Sequence, residues 1–311
     1  MNFTSLKYFL VVTEELNVTR AAKRLYISQQ SLSAHIAALE KDLNVKLFDR
    51  TPVFALTYAG VRLETFARKI LDLERQAYSE MDDIAGQRRG ALRIGMSHTC
   101  GRAILPKILP GFHEKNPFIE TSVMEGNSAE LEDHLKHGRI DLMIVFTPVT
   151  LESVEIIPLA VERLLLLVPR KLSKTLFGEH SEYMRGKFSI SADISCFEDM
   201  PFILLKKGNR IRSLIDGYTS SRGVKLNVLF ETENTETAYA LAQNGMGIAV
   251  YPELFLKHIH GMNPGEDETV DYFPITDASA SGTLAICYDR SRYLSNAARD
   301  FIKIACDALR E

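Results

Sequence analysis

One helix near the N-terminus constrains the fold more than any other segment, because its two sides differ in chemistry. Between residues 28 and 43, apolar side chains recur every three or four positions, which predicts a helix with one buried stripe. The stripe consists of Leu32, Ile36, Leu39 and Leu43. The other side carries amides, hydroxyls and alanine where a surface helix usually carries charge, namely Gln29, Gln30, Ser33 and Ala37. A face of this kind favours hydrogen bonding to a partner.

Shorter elements surround this helix. Apolar spacing predicts a first helix over residues 4–15, and Thr19 is a candidate N-cap for a second. Ser28 is the expected N-cap of the third helix, and Asn44 should end it, since Asn tolerates the left-handed conformation of a C-cap. Two β-prone stretches separated by a proline turn then predict a wing. Residues 1–58 are therefore expected to form a winged helix-turn-helix.

A single long helix is predicted over residues 59–89. Its apolar positions follow a three-four alternation flanked by charges, which is typical of a helix that pairs with another helix. We expect it to dimerise the protein; packing on its own C-terminal domain is the alternative. The expected contacts are Leu63, Phe66, Ile70 and Leu73.

Strands and helices alternate over residues 90–311, which predicts an α/β domain with parallel sheets and helices on both faces. Two halves are expected, subdomain I over 91–160 and 268–311 and subdomain II over 161–267. Ligands bind at strand ends in such folds, so a cleft between the halves is predicted. The segment 170–197 is long for a connection, and both a lid and a surface excursion fit it.

Composition and charge narrow the class of protein. The chain is 46% hydrophobic and 25% charged, as in soluble globular proteins, and no apolar run is long enough for a membrane span. The four cysteines are scattered and the N-terminus does not resemble a signal peptide. A reduced, cytoplasmic protein without a metal site is therefore expected. Residues 1–58 carry a net charge of +2 and the remainder −5, so the N-terminal part is mildly basic.

Four stretches together resemble one known family. Residues 20–60, RAAKRLYISQQSLSAHIAALEKDLNVKLFDRTPVFALTYAG, are similar to the DNA-binding segment of LysR-type transcriptional regulators. The stretches ALRIGMSHTCGRAILPKIL, LKHGRIDLMIV and LAQNGMGIAVYPE resemble that family's effector domain, in the same order. The resemblance implies a dimeric or tetrameric regulator with a periplasmic-binding-protein-like effector domain, no cofactor and no catalytic residues. It also implies double-stranded DNA and a small-molecule effector as partners, with RNA polymerase as a further candidate.

The resemblance and the docking geometry of helix-turn-helix proteins agree on the DNA contacts. A recognition helix places its N-terminal residues at base edges in the major groove, where Gln pairs with adenine. Gln29, Gln30 and Ser33 are expected to read bases. Phosphate contacts are expected from Thr19, Arg20 and Ser31, with helix capping as the competing interpretation of Thr19 and Ser31. The complete expected interface is Thr19, Arg20, Ser28, Gln29, Gln30, Ser31, Ser33, His35 and Arg50.

The sequence departs from the family pattern at basic positions. Ala34 stands where the family often carries Arg, and Arg50 is the one basic residue of the wing. Fewer phosphate contacts predict a shallower salt dependence of DNA binding and a greater dependence on oligomer avidity.

The expected effector site lies at strand ends of both halves. Ser97 and Ser128 stand where helices should begin, and exposed amides there favour an anion, although capping alone also explains them. Lys206 would supply a countercharge and Phe146 an apolar wall. A small organic anion is the expected effector. The expected contacts are Ser97, His98, Thr99, Asn127, Ser128, Phe146, Thr147, Lys206, Thr232 and Asn234.

Three other functions compete with DNA binding. A solute receptor would need a signal peptide and would not need residues 1–89. An enzyme would need a catalytic motif, and the sequence holds no nucleophile elbow, phosphate loop, metal cluster or dinucleotide fingerprint. A redox switch through Cys100 and Cys196 is the third, because a helix start near Cys100 would favour the thiolate. Buried, inert thiols are the competing interpretation.

Overall fold

The structure, a computed structural model, describes residues 1–49, 51, 53–87, 89–261, 269–276 and 282–309. Its internal contacts divide the chain into two compact units, Met1–Gln87 and Arg88–Glu311, which we call unit 1 and unit 2. Among the described helices, none combines the length and the apolar character that crossing a membrane would require.

Unit 1 is a winged helix-turn-helix followed by one long helix, as the sequence predicts. Its elements are α1 (Phe3–Glu15), α2 (Val18–Arg24), α3 (Gln29–Leu43), β1 (Phe48–Asp49), β2 (Ala55–Leu56) and α4 (Tyr58–Ile84). The first three helices pack around a core that includes Leu6, Phe9 and Leu32. The strands of the wing pair antiparallel, with Phe48 opposite Leu56, and are shorter than the β-prone stretches indicate.

Helix caps in unit 1 follow the sequence signals with one exception. Ser28 caps α3 and Asn44 ends it in the left-handed conformation, with a φ of 53°, so both predictions are confirmed. The prediction that Thr19 caps α2 is wrong. Asn17 has the extended backbone of an N-cap, and its side-chain oxygen accepts a hydrogen bond from the Arg20 amide at 3.0 Å.

Unit 2 consists of two lobes, each built on a five-stranded sheet. Across the first-lobe sheet, the strands are β4 (Ile119–Glu125), β3 (Gly90–Met96), β5 (Leu142–Phe146), β12 (Gly282–Asp289) and β6 (Val154–Glu162). Across the second-lobe sheet they are β11 (Val270–Pro274), β7 (Leu164–Pro169), β10 (Ile248–Pro252), β8 (Pro201–Leu205) and β9 (Asn227–Thr232).

Helices cover both sheets. They are α5 (His98–Lys115), α6 (Ser128–Lys136), α7 (Arg170–Phe177), α8 (Ser181–Phe188), α9 (Arg210–Arg222), α10 (Thr235–Gln243), α11 (Glu253–Phe255) and α12 (Asn296–Leu309). Single 3₁₀ or π turns occur at Gly178–His180, Ile194–Phe197 and Leu256–His260. One apolar cluster continues from α5 and α12 in the first lobe to β7 and α10 in the second, so the lobes share part of their core.

Both sheets are mixed, whereas the sequence pattern predicts parallel sheets. In each lobe one strand, β7 or β12, runs antiparallel to both of its neighbours. Each is the first strand after the chain crosses from the other lobe. The strands before the crossings, β6 and β11, were not predicted. Pro158 interrupts the pattern of β6, which is an edge strand where proline is tolerated. Strand β11 belongs to the second lobe, beyond the expected limit of subdomain II at residue 267.

The long segment 170–197 packs on the second lobe. Phe188 and Phe197 contact each other and Phe273 of β11, at ring-centroid distances of 5.3 to 6.2 Å. The carboxylate of Asp271, which is 5% exposed, accepts hydrogen bonds from Arg170 Nε at 3.2 Å and pairs with Arg185 Nε at 2.9 Å. Because aromatic packing and a buried ion cluster both fix this segment, it forms a surface excursion.

Candidate nucleic-acid interface and effector cleft

The first turn of α3 presents the polar face that the sequence predicts. Ser28, Gln29, Gln30 and Ser31 are all exposed, and Ser33 is half-buried. The apolar stripe faces the opposite way, since Leu32, Ile36 and Leu39 are at most 4% exposed. The hydroxyl of Thr19 donates a hydrogen bond to Gln29 Oε1 at 3.1 Å. The start of α2 therefore orients the carboxamide of Gln29 before any partner binds.

Most of the cationic groups near this face are already paired within unit 1. Arg20 donates to the backbone carbonyl of Glu15 and pairs with its carboxylate at 3.4 Å. Arg24 pairs with Glu14 at 2.9 Å and with Glu15 at 3.2 Å. These contacts leave less charge for phosphate. Arg50 of the expected interface lies outside the described residues.

His35 has a packing role in addition to its place on α3. Its ring is half-buried and meets the edge of Tyr8, with 4.9 Å between ring centroids. This contact joins α3 to α1, so His35 helps to fix the angle at which the recognition helix is presented.

The expected dimerisation residues of α4 divide between two sides of the helix. Leu63 and Ile70 pack against the core of unit 1, where Ala67 is fully buried. Phe66 and Leu73 lie on the outer side and are 51% and 63% exposed. Further along the same side, Met81 and Ile84 are also exposed. We call Phe66, Leu73, Met81 and Ile84 the outer stripe. Leu63 and Ile70 are therefore half-buried residues that pack against the core of their own unit.

In unit 2, a cavity of about 30 Å³ lies between the two lobes. Ser97, Asn127, Ser128 and Phe146 line it from the first lobe, as the sequence predicts. The second lobe contributes residues that follow strands β8 and β9, namely Asn209, Arg210, Ile211 and Thr235. Further apolar lining comes from Cys100, Leu131, Ile144, Val145, Phe255 and Leu284.

Four helices direct their N-termini at this cavity. The caps of α5, α6 and α9 are Ser97, Asn127 and Asn209, and Thr235 is the first residue of α10. The first-turn N–H groups of a helix have no partner within the helix, and the helix dipole adds positive potential there. An arrangement of four such termini favours an anion.

Arg210 brings a full positive charge to the same cavity. It opens α9, is half-buried, and its Nε donates to the backbone carbonyl of Thr147 at 3.3 Å across the lobes. No carboxylate among the described residues lies within salt-bridge distance of it. Burial lowers the pKa of its guanidinium, partly opposed by Glu132. The apolar pattern predicts a helix that starts only at Ile211, which leaves Arg210 outside it, although Asn209 is a recognisable N-cap.

Several expected effector contacts lie elsewhere. Lys206, the expected countercharge, is exposed and pairs with Glu233 at 2.8 Å. Thr99 is 4% exposed within α5, and its neighbour His98 directs Nδ1 at the carboxylate of Glu125 at 3.1 Å. On the second lobe, the side chain of Asn234 caps α10, and the backbone N–H of Asn234 donates to the Thr232 hydroxyl at 3.2 Å. None of these side chains is among the residues that line the cavity.

The cysteines do not provide a reactive pair. None of the four forms a disulfide, and Cys100, Cys287 and Cys306 are buried. Burial, with a smaller contribution from Glu162, raises the pKa of the Cys100 thiol far above its ordinary value. The helix start near Cys100 therefore does not produce a thiolate, which removes the physical basis for a switch through this residue. Cys196 is exposed, on a 3₁₀ turn of the second lobe.

Comparison with known proteins covers nearly the whole chain. Residues 3–61 match the model of the bacterial regulatory helix-turn-helix protein of the lysR family, and residues 85–310 match the LysR substrate binding domain. An uncharacterised HTH-type transcriptional regulator of Bacillus subtilis, YcgK, is 28% identical, with 100% of this chain and 96% of that protein covered. A hydrogen peroxide-inducible genes activator of Haemophilus influenzae is also 28% identical, with both chains fully covered.

Among solved structures, full-length OxyR from Pseudomonas aeruginosa, a cysteine-to-aspartate variant, superposes with a TM-score of 0.69 at 25% identity. The alignment covers 100% of this chain and 95% of that one. The two family models match in the order in which the structure places the winged helix-turn-helix and the two-lobed unit. The chain therefore belongs to the LysR family of DNA-binding transcriptional regulators, which carry an effector-binding domain.

Proposed function

We propose that the chain reads an operator through the first turn of α3 and is controlled by a small organic anion bound between the lobes of unit 2. The observation that carries the proposal is the meeting of four helix N-termini with Arg210 at one cavity. Carboxylates are the common metabolite groups that such a site can bind through backbone amides and a forked guanidinium together.

The small volume of the cavity indicates how the effector would act on unit 2. About 30 Å³ holds roughly two water molecules, well short of the space an organic acid needs. Binding must therefore separate the lobes or rearrange the side chains between them. Two interlobe contacts resist this, the Arg210 hydrogen bond to Thr147 and an ion pair of 3.2 Å between Arg102 of α5 and Glu236 of α10. The effector shifts the equilibrium between closed and opened lobes because it binds the opened arrangement more tightly.

We also propose that the protein works as a dimer or tetramer. The outer stripe of α4 supports one self-association surface in unit 1. In unit 2, Leu105, Pro106, Leu109 and Pro110 line an apolar groove along α5. The edge strand β9 exposes Val228, Leu229 and Phe230 by 39 to 53%. Two distinct self-complementary surfaces on one chain generate a closed tetramer, whereas one generates a dimer.

Within this proposal, residues 1–58 bind DNA, residues 59–89 dimerise and residues 90–311 bind the effector. The protein acts in the cytoplasm and catalyses no reaction.

The test is isothermal calorimetry with a panel of organic acids, neutral sugars and amines. We expect selective binding of an acid by the wild-type protein. Arg210→Gln should weaken that binding by at least tenfold, since it removes the charge that faces the cavity. Lys206→Gln is the matched control, because Lys206 is a cation of the same lobe whose side chain is exposed and paired with Glu233.

Selective binding of an amine would contradict the anion assignment. Equal loss in Arg210→Gln and Lys206→Gln would show that general charge, and not the cavity, attracts the ligand. Retained acid binding in Arg210→Gln would place the site elsewhere.

A further inference from the structure

Tyr26 is the most exposed large hydrophobic side chain among the described residues, at 96%. It lies in the turn between α2 and α3, two positions before the cap Ser28. A tyrosine ring buries more apolar area than most side chains when it packs in a core, yet here it contributes nothing to folding by burial. Folding therefore does not account for a tyrosine at this position, which lies beside the recognition helix α3.

The backbone holds Tyr26 in one orientation. Its φ is 55°, in the left-handed region that costs a residue with a Cβ about 1 kcal/mol or more. Two hydrogen bonds impose this conformation, from Tyr26 N to Lys23 O and from Ile27 N to Ala22 O, both at 3.1 Å. The ring is consequently presented outward by a defined turn, next to the first turn of α3.

This location places a neutral donor where phosphate is expected. In a helix-turn-helix the second helix lies in the major groove and the first helix crosses the sugar–phosphate backbone, so the turn that joins them lies beside that backbone. A phenol can donate to a phosphate oxygen, and its ring can cover the adjacent sugar. Arg20 and Arg24, the nearby guanidinium groups, are committed to Glu14 and Glu15. A neutral donor at Tyr26 would add to the contacts that exposed cations such as Lys23 can make.

We propose that Tyr26 is a DNA-backbone contact whose hydroxyl donates to a phosphate beside the recognition helix. The inference rests on the proposed DNA reading by α3, and it adds a residue that sets affinity without setting sequence preference. Because tyrosine is uncharged, the contact releases no counterion.

The experiment compares wild type, Tyr26→Phe and Tyr26→Asn by fluorescence anisotropy. The probes are a labelled duplex from the protein's own promoter region and a labelled duplex of random sequence, each titrated over a series of salt concentrations. Tyr26→Phe removes the hydroxyl alone. Tyr26→Asn removes the ring but suits the left-handed backbone, so it separates the side chain from the turn. Tyr183→Phe is the matched control, since Tyr183 is 73% exposed in unit 2.

We expect Tyr26→Phe to weaken binding to both duplexes by the same factor, about ten- to 150-fold, the loss of one hydrogen bond to a charged group. The slope of affinity against salt should not change. Tyr26→Asn should bind at least as weakly, with a melting temperature no lower than that of wild type. Tyr183→Phe should match wild type.

Wild-type affinity of Tyr26→Phe and Tyr26→Asn on both duplexes would overturn the inference, and so would a loss confined to the promoter duplex. Failure of the wild-type protein to bind either duplex is a separate outcome, which would contradict the proposed DNA reading itself.

Discussion

The outer stripe of α4 gives the sharpest prediction about assembly. We expect Phe66 and Leu73, and not Leu63 or Ile70, to hold two copies of the chain together. Replacing Phe66 and Leu73 with serine should dissociate the dimer without unfolding unit 1, because both side chains point away from its core. Ile70→Ser, by contrast, should destabilise unit 1 itself, since Ile70 packs against that core.

The size of the effect follows from how much of each side chain remains to be buried. Complete burial of a Phe or Leu side chain contributes about 1.5–3 kcal/mol. Phe66 is 51% and Leu73 63% exposed, so pairing can add roughly 1 kcal/mol for each side chain. A symmetric interface buries each residue twice. The double variant should therefore lose roughly 4 kcal/mol of dimerisation free energy, which is about a thousandfold in the dissociation constant.

Sedimentation velocity over a range of protein concentrations measures this shift. Val61→Ser is the matched control, because Val61 is an apolar residue of α4 that is 49% exposed and lies off the outer stripe. It should sediment as wild type does. If the double variant keeps the wild-type dissociation constant while Val61→Ser changes it, the reasoning about the outer stripe is refuted.

Three further predictions concern DNA reading and the buried carboxylates. Gln29→Ala should lose about 1–3 kcal/mol of binding to a promoter duplex and little to random DNA in anisotropy titrations, and an equal loss on both would make Gln29 a positioning residue. Burial raises the pKa of Glu162 from 4.5 to about 8, so the folded protein holds its proton. Between pH 4.5 and about 8, the free energy of unfolding of the wild-type protein should therefore fall as pH rises, by up to about 1.4 kcal/mol per pH unit relative to Glu162→Gln. Urea titrations of both proteins at several pH values measure this difference, and an equal pH dependence of the two would contradict the prediction. Asp271→Asn should cost about 3 kcal/mol in the same assay, because it leaves two arginines without their buried carboxylate. The exposed Glu233→Gln should be indistinguishable from wild type, and a small Asp271→Asn effect would show that the aromatic packing alone holds the excursion.

The sequence predicts best what local chemistry decides. The buried stripe of α3, its cap at Ser28 and its end at Asn44 all follow from side-chain types at fixed spacing, and the structure confirms them. The wing and most of the strands of unit 2, though not β6 and β11, are predicted for the same reason. Strand β6 is different, since Pro158 breaks its pattern and only its place at the sheet edge makes it a strand.

The sequence does not show which partner a side chain contacts in the folded protein, and two features of the structure depend on this. The apolar positions of α4 are broad enough to serve both the core of unit 1 and an outer partner, so Ile70 and Phe66 look alike in the sequence. Lys206 and Arg210 both follow strand β8, but only Arg210 lines the cavity. Their different roles arise because Glu233 holds Lys206 at the surface, while the start of α9 turns Arg210 inward.

The small volume of the interlobe cavity also has a kinetic consequence. If the effector enters only molecules whose lobes have separated, the measured dissociation constant exceeds the intrinsic one by the inverse of the open fraction. The rate of binding then levels off at the opening rate as effector concentration rises, because opening precedes the encounter. A substitution that loosens the Arg102–Glu236 ion pair would raise both the apparent affinity and that limiting rate without touching the effector. The sensitivity of the regulator can thus be tuned from outside its binding site.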